Sequence, residues 1–405
     1  MGPRAWWQGG WLQTYYRVLH DEMFNSRAHP LYKIWTDHVF ETLTWLWKNL
    51  LGPVDAYLSK TLKPNPGKRV EPPPEVVLIP TGLLGVLPLQ GALSERGAAS
   101  FGERWITSLA PSVRSLVDCR ARAEAAKAAP PSFFGIFDPR GDLAGARLEE
   151  LALKRIFART DPKTLHGNEV VREPVVAGMS TAAIFHASTH GHHHPFLPDQ
   201  SGVALAGSDL LTVGSLRQAL MSGTRLVFLS ACETGLAGVL KLAEEFVGLG
   251  ASFVGAGAAC VVASLWPVLD DASFLLTERF YTELLDTNCT ERQSPAVALS
   301  AAQAWLRTVT YGGLQQDYEV ETVGKDQFLL IGRRRSTPTP AISDGAAPGL
   351  LRRWFRGTRS GGGVGHAAAV AKGDTPQPIR LRLGADHERP FASPHEWAAF
   401  TVTGA

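Results

Sequence analysis

The chain has 405 residues, a formal charge of +2 and 45% hydrophobic residues. That length accommodates two or three domains at roughly 150 residues each, and a pI near 8.3 is too mild to point to a nucleic-acid partner. With no run of about 18 consecutive apolar residues, no membrane span is expected.

The first residues, "MGPRAWWQGGWLQTYY", lack the uninterrupted apolar core and small-residue cleavage site of a secretory signal. Cys119, Cys232, Cys260 and Cys289 are scattered and form no CxxC pair. Free thiols in a reducing compartment follow from that spacing, and a cytoplasmic location is expected.

Residues 1–74 read as a helical segment followed by a linker. Trp35, Val39, Leu43, Leu46 and Leu50 fall on one helical face, which Gly52-Pro53 is expected to stop. Six of the eleven tryptophans lie in the first fifty residues, so this segment must bury a large aromatic surface. The rest of the chain can supply the partner surface; an activating protein that docks on these helices is the other option. "KPNPGKRVEPPPE" marks the linker, because Pro and Gly interrupt helix and strand alike.

From residue 75 the pattern changes to short apolar runs alternating with amphipathic helices. "EVVLIP", "PSFFGIF", "AAIFHAS", "TRLVFLSA" and "ACVVASLW" read as strands. Helix-like segments run from Glu149 to Ala158, Gly214 to Leu220 and Lys241 to Val254. Buried strands in this order imply an α/β fold with a mostly parallel sheet flanked by helices. Within the 75–405 domain, composition shifts at about 332–389 to Gly, Pro and Arg, which predicts a largely disordered insertion.

Two apolar runs end in residues with chemistry. "FHASTHGHHH" spans Phe185 to His194, and "LVFLSACETG" spans Leu226 to Gly235. In open parallel sheets functional groups gather at the carboxyl ends of strands. Two adjacent parallel strands there would bring His190 and Cys232 to one edge, the geometry of a Cys–His dyad. The N–H groups of Gly191 and Cys232 would then form an oxyanion hole. A cysteine ending a buried strand is also commonly just a small apolar filler, and at this point both readings stand.

The run His192, His193, His194 raises zinc. Adjacent residues rarely aim their rings at one ion, and no further ligand stands at a suitable spacing, so no metal and no other cofactor is expected. His186, inside the apolar run, reads as a hydrogen-bonded core residue. Cys119, Cys260 and Cys289 read as non-catalytic. Gly248, Gly250, Gly255 and Gly257 end a helix instead of following a strand, which argues against a dinucleotide fingerprint.

The ordered blocks resemble the CHAT family of caspase-like cysteine peptidases. "FHASTHG" and "LVFLSACETG" carry the resemblance, together with "VVLIPTGLLGVLPLQGAL", "APSVRSL", "EEFVGLGASFVGAGAACVVASLWPVLDD" and the closing "HEWAAFTVTG". The resemblance implies a caspase-like fold with His190 and Cys232 as the catalytic dyad of an endopeptidase. It further implies a small set of protein substrates in a regulated prokaryotic signalling, defence or cell-death system. It also sets "PVLDD" beside the specificity pocket. Asp270 or Asp271 would there favour a basic substrate residue, while Asp271 is equally placed to cap the helix that follows. The alternative function is a non-catalytic scaffold that keeps the domain for partner binding.

Overall fold

The computed structural model describes residues 27, 30–62, 73–126, 132–192, 194, 197–216, 221–230, 249–285, 293–323, 327–333, 379–382 and 384–405. The N-terminal helix α1 (Pro30–Leu46) follows from its apolar spacing: Trp35, Val39, Leu43 and Leu46 are all fully buried. They join one core cluster with Trp266, Phe391 and Trp397, so the helix rests on the α/β body.

Gly52-Pro53 does not stop the helical run, contrary to the sequence expectation. A π turn over Trp47–Leu51 leads directly into α2 (Gly52–Thr61). Pro53 falls in the first turn of α2, where its fixed φ suits the helix. Gly52 is needed for close approach, since a Cβ there would lie 2.7 Å from the Trp47 carbonyl oxygen.

Beyond the linker the main elements follow in order: β1 (Glu75–Leu78), β2 (Ile106–Leu109), α3 (Val113–Ala126), β3 (Phe133–Phe137), α4 (Ala144–Ile156), β4 (Lys163–His166), α5 (Arg172–Thr181) and β5 (Ile184–Ser188). Then come the short strands β6 (Gly191–His192), β7 (Gly202–Ala204) and β8 (Leu210–Thr212), followed by β9 (Leu226–Ser230), α6 (Leu249–Gly255), β10 (Cys260–Ser264) and α7 (Asp270–Leu284). The chain continues through α8 (Pro295–Thr308), β11 (Tyr318–Val323), β12 (Gln327–Arg333), β13 (Ile379–Arg382) and β14 (Phe400–Gly404).

Eight strands form the central sheet in the order β1-β2-β14-β10-β9-β5-β3-β4. β10, β9, β5, β3 and β4 are mutually parallel, as are β1, β2 and β14; the β14–β10 pair is antiparallel. The inner strands β3, β5, β9 and β10 are buried on both faces, which is why they read as continuous apolar runs. One core cluster lies under α1, α4, α7 and α8; the other lies under α3, α5 and α6. On β5 the sides alternate, with Ile184 in the first cluster and Phe185 and Ala187 in the second.

β12 and β13 occupy the borders of the stretch that composition assigns to an insertion. Residues 332–333 pair with β11 and residues 379–382 with β12, so these parts of the stretch are strand, with ladder partners for their backbone. Residues 334–378 lie outside the described residues. No described helix is long and apolar enough to cross a membrane.

Candidate active site

β5 and β9 are adjacent and parallel, and Ser188 stands opposite Ser230. The pairing extends one step further, where the Thr189 N–H donates to the Ser230 carbonyl at 3.3 Å. His190 follows Ser188 by two positions and Cys232 follows Ser230 by two positions. Residues 231–248, Cys232 among them, lie outside the described residues.

A cleft opens at this carboxyl edge. Ser188, Thr189, His190, Ser230 and Ser264 line it from the strand ends. α4 adds Gly145 and Ala146 from its first turn and Glu149 from its second, and α7 adds Asp270 and Ser273. Phe400 closes one side; β14 runs opposite to β10, so its first residue reaches the edge where β10 ends.

His190 is part-exposed, and its Nε2 lies 2.8 Å from Asp142 Oδ1. No sequence spacing marks Asp142. A retrospective signal is the turn-forming run Asp138-Pro139-Arg140-Gly141-Asp142, which directly follows a buried strand at the same edge. Gly191 opens β6 and pairs with Val203 across a short antiparallel ladder.

Under the cleft lies a buried polar network that the sequence did not reveal either. Glu149 Oε1 accepts from the Ser230 hydroxyl at 2.8 Å, and its Oε2 sits 3.2 Å from His186 Nε2. The other ring nitrogen of His186 is 3.3 Å from the Tyr281 hydroxyl. The ring itself stacks between Phe137 and Phe228, each with its centroid 5.3 Å away. His186 is therefore the hydrogen-bonded core residue expected.

Of the two aspartates offered for the specificity pocket, only Asp270 lines the cleft. Its Oδ2 accepts the Gly145 N–H at 3.2 Å, one of the donors that the start of α4 leaves without an intrahelical partner. Crowding by surrounding protein atoms raises the Asp270 pKa, and Glu149 and Asp271 push the same way. The Gly145 N–H and His190 oppose the rise.

Asp271 neither lines the cleft nor caps the helix. Leu269 holds the N-cap position, with no side-chain cap, and α7 begins at Asp270. Asp271 is buried and pairs with Arg27 at 2.6 and 2.9 Å. Arg27 also donates to Glu396 at 2.9 Å, and the Tyr32 hydroxyl donates to that same carboxylate. Burial disfavours the guanidinium charge, but the two carboxylates overcome it and hold Arg27 protonated. This cluster ties the start of α1 to the start of α7.

The remaining candidates have structural roles where they are described. His194 Nδ1 accepts the Leu197 N–H at 3.0 Å, and its own N–H donates to Ser201. Among the described residues no three His, Cys, Asp or Glu side chains converge as a metal ligand set would. Cys119 and Cys260 are free, buried thiols, and burial pushes both pKa values up. Cys289 and His193 lie outside the described residues. Gly255 ends α6, and Gly257 takes a φ of +118°, where a Cβ would lie 3.0 Å from the Met221 backbone. Tight turning accounts for both.

The chain thus forms a mostly parallel sheet between two helical layers, with its cleft at the carboxyl edge of β5, β9 and β10. The family model of the CHAT domain matches residues 41–405, and the chain belongs to that family. A comparison with curated proteins yields no match. Among solved structures, separase in the Saccharomyces cerevisiae separase–securin complex is similar at 16% identity and a TM-score of 0.42. That match covers 57% of this chain and 14% of the separase chain. The Arg-specific cysteine proteinase gingipain R (RgpB) is similar at 11% identity and a TM-score of 0.46, over 67% of this chain and 70% of that one. The complex of Porphyromonas gingivalis RgpB pro- and mature domains gives 10% identity and a TM-score of 0.43, over 67% and 71%.

Proposed function

We propose that this chain is a cysteine endopeptidase in which Cys232 and His190 form the catalytic dyad. The observation that supports this reading is the β5–β9 register: Ser188 opposes Ser230 at the cleft, and His190 and Cys232 each follow two positions later in the sequence. In the proposed reaction the Cys232 thiolate attacks the scissile carbonyl carbon and forms a C–S bond. The N–H groups of Gly191 and Cys232 hold the tetrahedral oxyanion. His190 then gives its proton to the leaving amine as the C–N bond breaks, and water hydrolyses the acyl-enzyme. The substrate is a protein, one of a small set in a prokaryotic signalling, defence or cell-death system. The free thiols Cys119 and Cys260 favour a cytoplasmic setting.

A thiol-directed activity probe tests the reading. Labelling should concentrate on Cys232, be lost in Cys232→Ala and persist in the presence of a strong chelator. Loss of labelling on chelation, with recovery on added zinc, would transfer the site to the histidine run. No labelling above that of an ordinary exposed thiol would favour the non-catalytic scaffold.

Asp270 is assigned to substrate recognition, with Lys or Arg on the amino side of the cut. A carboxylate at the cleft mouth offers the opposite charge that a cationic side chain needs on leaving water. Asp270→Asn keeps an oxygen for the Gly145 N–H and removes the charge, so a peptide library should lose its basic preference while Tm stays unchanged. Cation binding requires the ionised carboxylate. Because the Asp270 pKa is raised, the wild-type basic preference should fade on acidification at a higher pH than an ordinary aspartate would give. An unchanged preference in Asp270→Asn would remove this residue from recognition.

A further inference from the structure

We propose that Asp142 is the positioning residue of the His190 imidazole and that Asp138 fixes the loop presenting it. The proposal rests on the His190–Cys232 reading. With Nε2 engaged by Asp142 Oδ1 at 2.8 Å, Nδ1 is the ring nitrogen left to serve a thiol.

A half-exposed aspartate on a free loop would hold a ring only weakly. This loop is fixed at both ends. Asp138, at the end of β3, adopts φ 44°, a left-handed conformation that aspartate tolerates better than most residues. Its N–H donates to the Ser188 carbonyl at 2.9 Å, two residues before His190. Its Oδ1 accepts the N–H groups of Asp142 at 2.9 Å and Leu143 at 3.1 Å. Its carbonyl takes the Gly141 N–H at 3.2 Å, closing the turn. The strand end that carries the imidazole and the loop that carries its acceptor are thus joined through one residue, by its backbone N–H on one side and its carboxylate on the other.

The test uses the whole protein and two readouts that need no substrate. One is the rate at which iodoacetamide alkylates Cys232 at neutral pH, followed by peptide mass spectrometry. The other is the tautomer of His190, from 15N shifts assigned with a His190→Gln variant. Asp142→Ala should slow alkylation about tenfold and mix the tautomers. The effect stays well below the roughly ten-thousandfold cost of disabling a buried triad carboxylate, because this pair is open to solvent. Asp138→Ala should act in the same direction with Asp142 still present, and Asp138→Asn should recover most of the rate, since an amide oxygen accepts the same two bonds. A merely structural role for the loop would lower Tm without moving the tautomer.

If Asp142→Ala keeps the wild-type rate and tautomer while His190→Ala is slow, the positioning role is overturned and the dyad stands. If His190→Ala also alkylates at the wild-type rate, the dyad itself fails and the proposal falls with it.

Discussion

Cys232→Ala and His190→Ala should each reduce substrate cleavage by at least about a thousandfold, because in the proposed dyad the two residues act as one unit and losing either removes the covalent route. The double variant should be no worse than the single ones. His190 is part-exposed at the cleft, so its replacement leaves the cores intact and Tm should not move. Cys260→Ala supplies the contrast. That thiol is fully buried at the start of β10, so its loss should lower stability and spare cleavage. The measurement is cleavage of a candidate protein by each variant, with circular dichroism as the check on folding. Wild-type cleavage by both single variants would sink the dyad.

Trp35→Ala should destabilise the protein by about 3–5 kcal/mol, the scale for deleting a fully buried aromatic side chain. Trp35 is fully buried on α1, edge-on to Trp266 at 6.2 Å and to His395 at 6.0 Å. Such pairs add about 0.5–1.5 kcal/mol beyond area burial. Urea denaturation of wild type and variant checks the value. A loss below about 1 kcal/mol would mean that the site collapses around the cavity, or that α1 contributes little. The Arg27 cluster makes a second effect expected, since it joins the start of α1 to Asp271, the neighbour of Asp270. Substrate selectivity should therefore loosen before activity is lost.

Much of the fold was legible in the sequence because buried parallel strands leave apolar runs that hardly depend on their neighbours. "FFGIF", "IFHAS", "LVFLS" and "CVVAS" are such runs, and each is a strand of the central sheet. β2 and β4, with sequences "ITSL" and "KTLH", are too short and too polar to stand out. Gly52-Pro53 misled because the same dipeptide ends one helix or begins the next, depending on backbone geometry that composition does not carry. At the site, His190 was legible because it ends an apolar run with a glycine after it. Asp142 and Glu149 were not. One sits on a turn and the other on a helix, and each meets its partner only through the sheet order. Asp271 shows the same limit from the other side: its position in "PVLDD" resembled that of Asp270, and one helical step turns it towards Arg27.

β14 lies in the middle of the sheet, between β2 and β10, although it is the last of the eight strands to be made. Until it arrives, β1–β2 and the five strands from β10 to β4 are two separate half-sheets, each with an open edge inviting the wrong neighbour. The cleft is also incomplete, because Phe400 opens β14. Ribosomal synthesis thus sets a sequence of events: earlier strands emerge and pair first, and the Phe400 wall of the cleft closes last.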